Sequence, residues 1–76
     1  MEDVVRETMM SYFFKPGEIL RRDRVSFIMI IKQVERVNCN VQTYDVVWMI
    51  HPVRQGDFIE GAYLNKHDWV KVYGKR

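Results

Sequence analysis

Between residues 27 and 47 the apolar positions run first in a block and then in alternation. Phe27-Ile28-Met29-Ile30-Ile31 is apolar on both sides of an extended chain, which predicts a central strand covered on both faces. Val37, Cys39, Val41 and Thr43 then alternate with Asn38, Asn40, Gln42 and Tyr44, the pattern of a half-exposed strand with its amide-rich side outward. Upstream, Val5, Met9, Tyr12 and Phe13 fall at i, i+4, i+7 and i+8, one stripe of helical period. With Asp3 as N-cap and Glu7 in the first turns, residues 1–14 are expected to form a short N-terminal α-helix. So short a helix must pack on something else. The competing reading is an extended, aromatic-rich strand over residues 8–14; the spacing favours the helix.

The remaining elements follow from turn chemistry. Lys15-Pro16-Gly17-Glu18 predicts a type II turn, with Pro fixing φ and Gly supplying a positive one. Strands are expected over residues 18–22, 25–34, 37–50, 58–64 and 69–73. The charged group Arg21-Arg22-Asp23-Arg24 is read as a loop. His51-Pro52 ends the third strand, because Pro cannot donate to a ladder. Gly61 is expected at a bulge or a close backbone approach. Asn65-Lys66-His67-Asp68 reads as a single 3₁₀ turn capped by Asn65.

Composition bounds the class. Seventy-six residues allow one domain, here a helical segment over 1–14 and a β domain over 15–76. Cys39 is the only cysteine, so no internal disulfide braces the fold. A lone thiol fits a reducing compartment, and the acidic start Met1-Glu2-Asp3 has no apolar stretch behind it, so the expected location is cytoplasmic. The longest apolar runs are five residues, against the ~20 of a membrane span, and no membrane partner is expected. Net charge is +2 and unevenly spread: −2 over residues 1–14, +3 over 15–36, −2 over 37–60 and +3 over 61–76. A charge this small demands no polyanion, although two basic blocks can meet in a fold.

Three stretches resemble a Src-homology-3-like small β-barrel. Lys15-Pro16-Gly17-Glu18-Ile19-Leu20 looks like its entry strand, residues 27–34 like its long bent second strand, and residues 62–72 like its strand, 3₁₀ turn and closing strand. The resemblance covers about residues 15–73 and implies a mainly β, five-stranded barrel. It implies no particular activity. The loop 21–24 lacks the glycine of barrels that bind nucleic acid through a KOW-type loop. The spacing of Tyr44, Trp48, Tyr63 and Trp69 does not match the aromatic-cage readers of methylated side chains. The acidic loop and Ala-Leu-Tyr-Asp-Tyr-like start of proline-rich-peptide binders are missing. Compact, single-cysteine, Met- and aromatic-rich chains also look like small early proteins of large tailed bacteriophages, which implies an effector of a host protein.

No catalytic constellation is expected, so the chain is read as a non-enzyme without cofactor. Cys39 lies inside an expected strand, and nothing in the spacing brings His51 to it. One Cys and two His, at 39, 51 and 67, do not make a metal site. Gly17, Gly56, Gly61 and Gly74 are isolated and build no phosphate loop.

Two surfaces remain as candidates. A basic and polar face would combine Arg21, Arg22, Arg24, Lys32, Arg36, Asn38 and Asn40 with Tyr44 and Trp48 as stacking aromatics. An apolar patch would combine Val5, Met9, Tyr12 and Phe13. The expected role is an interaction protein that binds another protein and modulates it, with direct DNA or RNA binding as the alternative. Homodimerisation through a sheet edge or the N-terminal helix is open to it.

Overall fold

The computed structural model describes residues 11–72. Five antiparallel strands form one sheet: β1 (Ile19–Asp23), β2 (Ser26–Arg36), β3 (Val41–Ile50), β4 (Phe58–Asn65) and β5 (Val70–Lys71). The sheet order is β4-β3-β2-β1-β5: β1 to β4 form a meander, and β5 returns to pair with β1. The expected entry turn is present: the Glu18 amide donates to the Lys15 carbonyl at 3.1 Å, and Gly17 has φ +92°.

Directly opposed residues share a face of a sheet, so the register sorts the side chains. On the inner face Leu20 opposes Ile28, Ile28 opposes Trp48, Ile30 opposes Val46 and Gln42 opposes Leu64. The ladder between β2 and β3 slips at Phe27/Ile28, Ile30/Lys32 and Gln33/Glu35. Each slip bends and twists the strands. The curled sheet encloses Phe14, Leu20, Ile28, Ile30, Tyr44, Val46, Leu64 and Trp69. Gly61 takes the expected bulge position. Tyr44 pairs with Ala62 but Val46 pairs with Ile59, so Glu60 and Gly61 together oppose Asp45. Gly61 has φ +64°, and its amide donates to Asp45 Oδ1 at 2.8 Å.

Several expectations need correction. The sheet is not closed into a barrel: β4 and β5 are its two edges, with no ladder between them. β5 pairs with β1 and not with β4. No helix is present among the described residues. Most of the expected helix, including Val5 and Met9, lies outside them. Residues 11–14 are extended or bent, because the Phe13 and Phe14 amides donate across the sheet and not back along their own chain. The connection before β5 is a single turn, closed by the Asp68 amide on the Asn65 carbonyl at 3.0 Å and capped by Asn65 Oδ1, which accepts from the His67 amide at 2.9 Å, and it does not continue as a 3₁₀ helix. Residues 37–40 form the turn between β2 and β3 and do not start the third strand.

Candidate functional site

The amide-rich side of β3 faces inward. Gln42 and Tyr44 are almost wholly buried, and they hold residues 11–14 as a strap across the open end of the sheet. Gln42 Oε1 accepts from the Phe13 amide at 2.9 Å, and its Nε2 donates to the Ser11 carbonyl at 3.0 Å. The Tyr44 hydroxyl accepts from the Phe14 amide at 3.1 Å and donates to Gln42 Oε1. Gln33 Nε2 donates to the Phe14 carbonyl at 2.9 Å. Side-chain amides therefore satisfy a backbone segment that has no ladder of its own, as buried polar groups require.

Aromatic contacts complete the strap. Phe14 enters the core 5.6 Å from the Tyr44 ring, and Tyr12 meets the same ring edge-on at 5.8 Å. Arg36 lies 5.5 Å over Tyr12, and Lys66 lies 5.7 Å over Phe13. Tyr12 and Phe13 are thus partly buried and packed on the core. Replacing Phe13 with Asp would disturb folding as well as any partner contact.

Burial pushes the Tyr44 hydroxyl above its ordinary value of 10.0, partly offset by the Phe14 and Phe13 amides. A raised value in the folded state means that stability is fully present below the unfolded value and falls as pH rises through the folded one. Unfolding by denaturant at rising pH should therefore show stability declining above pH ~10. The decline should be shallower in Tyr44→Phe. Equal declines would mean that Tyr44 ionises as freely in the fold as out of it.

The opposite end of the inner face carries an aromatic cluster. Trp48 and Trp69 lie 6.3 Å apart, and His51 stacks 4.4 Å from Trp48. The Arg22 guanidinium sits 4.9 Å from the Trp69 ring and 5.8 Å from Trp48, a pair of cation–π contacts. Trp48 Nε1 is buried without a hydrogen-bond partner among the described residues. At the neighbouring turn the Val25 amide, helped by the Ser26 hydroxyl, holds the Asp23 carboxyl below its ordinary value.

The expected basic face is not gathered into one place. Arg21 opposes Phe27 on the outer face, Arg22 covers the tryptophans on the inner one, and Arg24 is in the β1–β2 turn. Lys32 opposes Asp45, and Arg36 stands at the far end of β2, about 33 Å from Ser26 at strand rise. Asn38 holds its own turn, its Oδ1 accepting from the Asn40 and Val41 amides at 2.8 Å, and the Asn40 carbonyl accepts from Lys66. Tyr44 is enclosed and offers no face to a base. Cys39 is exposed in the β2–β3 turn, and the ten residues of β3 separate it from His51. Among the described residues no group of His, Cys, Asp and Glu gathers as a metal site, and no helix is long and apolar enough to cross a membrane.

The apolar run Phe27–Ile31 already implies outward-facing apolar residues available to a partner, but not the rows they join. Ile19 opposes Met29, Met29 opposes Val47, and Val47 opposes Phe58, so one apolar row crosses four strands. The next row runs Val70, Arg21, Phe27, Ile50. Phe58 is 56% exposed, Val70 57% and Ile50 45%. Beyond these rows come Lys32, Asp45, Glu35 and Tyr63, with the exposed Ile31 and Val34 at the slips between them. A slip-by-slip register, not composition, sets these rows, so alternation alone does not reveal them.

Compared with known proteins, the chain matches no family model, no curated protein and no solved structure.

Proposed function

We propose that this protein is a non-enzymatic interaction module that binds another protein through the apolar end of its outer face. The observation that carries this reading is the contiguous patch of Ile19, Phe27, Met29, Val47, Ile50 and Phe58 on a sheet face that no other described element covers. Contiguous exposed apolar surface beside a polar rim is the ordinary mark of a protein contact site. Arg21, standing within the patch, adds a charge suited to orientation. On the resemblance to small phage proteins, the partner is a host protein whose activity the contact modulates. The nucleic-acid alternative has less behind it: its arginines are spread over two faces, and its stacking residue Tyr44 is enclosed.

The test compares capture of the partner by tagged variants from the cells that make the protein. Phe58→Asp and Ile50→Asp should each weaken capture by at least ~10-fold, as loss of a buried anchor does. Tyr63→Asp, at the polar end and 74% exposed, should leave it unchanged. Full capture by both patch variants would overturn the reading. Salt-sensitive binding to an arbitrary oligonucleotide, lost in Arg21→Ala/Arg22→Ala, would replace it with the nucleic-acid one.

A further inference from the structure

The sheet has two unlike edges. β5 has two residues, whereas β4 runs for eight, and no other described strand pairs with its outer side. Long edges are normally guarded by charge or proline. Here Glu60 is the only charge within the strand, and Phe58 and Tyr63 stand exposed along it at 56% and 74%.

We propose that two copies of this chain pair antiparallel along β4, with the two-fold axis at Ala62. The bulge makes the strand complementary to itself. Glu60 and Gly61 together occupy one position opposite Asp45, so counting outward from Ala62 in both directions keeps the faces in step. Tyr63 then meets the Glu60–Gly61 bulge on the outer face, Leu64 meets Ile59 on the inner face, and Asn65 meets Phe58 on the outer face. One step further, Lys66 of each copy stands opposite Asp57 of the other. The pairing therefore closes with opposite charges at each end, where Asp57, 3.6 Å from Arg54 Nε in its own chain, faces a second cation. The bulges lie at equal distances from the axis, so the extra twist of one strand matches that of the other. An isologous contact of this kind closes on itself and does not propagate. Phe58 belongs both to this pairing and to the outer-face patch, so Ile50→Asp, which lies off β4, and the Asp57 and Lys66 exchanges, which lie off the patch, tell this proposal from the protein-partner reading.

Asp57 and Lys66 flank β4 at opposite ends, about 26 Å apart within one chain at strand rise. A zero-length carbodiimide cross-link between them must therefore join two chains. Equal amounts of ¹⁴N- and ¹⁵N-labelled full-length chain should be mixed, cross-linked and digested. The expected product is an Asp57–Lys66 cross-link that carries mixed labels. In sedimentation equilibrium, Asp57→Lys and Lys66→Asp should each raise the dimer dissociation constant about tenfold, and the double exchange should restore it. Circular dichroism of each variant keeps loss of fold separate from loss of pairing. A chain that stays monomeric at its solubility limit overturns the proposal, and the edge then serves another occupant or none. A dimer that ignores both reversals overturns it as well, because it then uses another surface.

Discussion

Phe14→Ala lowers the free energy of unfolding by about 3–5 kcal/mol, the range for deleting a buried phenyl ring. Phe14 is 4% exposed and stands in the core with Leu20, Ile30 and Tyr44, although it belongs to no strand. The ring leaves a cavity that strands bonded into one sheet cannot collapse to fill. A chain of 76 residues has about 4–11 kcal/mol of total stability, so the loss is a large share of it. Thermal unfolding should shift down by more than ~10 °C. Phe13→Ala should cost less, since that ring is only partly buried beside Lys66. Similar small losses for both would mean that the strap rests on the sheet without helping to build its core.

Gln42→Leu should cost about 2–4 kcal/mol, although it exchanges a polar group for an apolar one of similar size at a site 1% exposed. The substitution takes away the acceptor of the Phe13 amide and of the buried Tyr44 hydroxyl proton. Leaving buried polar groups unpaired costs more than the added apolar contact returns. Urea titration gives the magnitude. Faster hydrogen exchange at the Phe13 and Phe14 amides would locate it in the strap. Gln33→Leu should cost less, since its bond to Phe14 is a single, part-buried one. A neutral or stabilising Gln42→Leu would contradict the strap as described.

The strands, the entry turn and the Gly61 bulge were legible because period-two alternation, Pro-Gly and an isolated strand glycine are local signals. The open sheet was not. Closure depends on whether the edges of the sheet meet, a long-range pairing that the alternation of residues 69–73 does not reveal. The facing of Gln42 and Tyr44 was also misread. Their alternation holds, but their polarity points outward only in the sequence, not in the fold. Val46 and Trp48 continue the same parity inward, and that continuity was the available signal. The strap needed inward amides because residues 11–14 bring unpaired backbone groups, and that demand comes from residues some 30 positions away. The helical spacing of Tyr12 and Phe13 misled for the same reason: aromatic residues that cap a core one after another need no period.

Hydroxyl-radical footprinting of the chain, alone and bound to its captured partner, tests the interaction reading most directly. Binding through the apolar end of the outer face predicts protection of Phe27, Met29, Ile50 and Phe58, with Tyr63 and the loop residue Val53 as reactive as before. Protection confined to Tyr63 or to the strap residues Tyr12 and Phe13, with Met29 and Phe58 unchanged in the bound state, would contradict it.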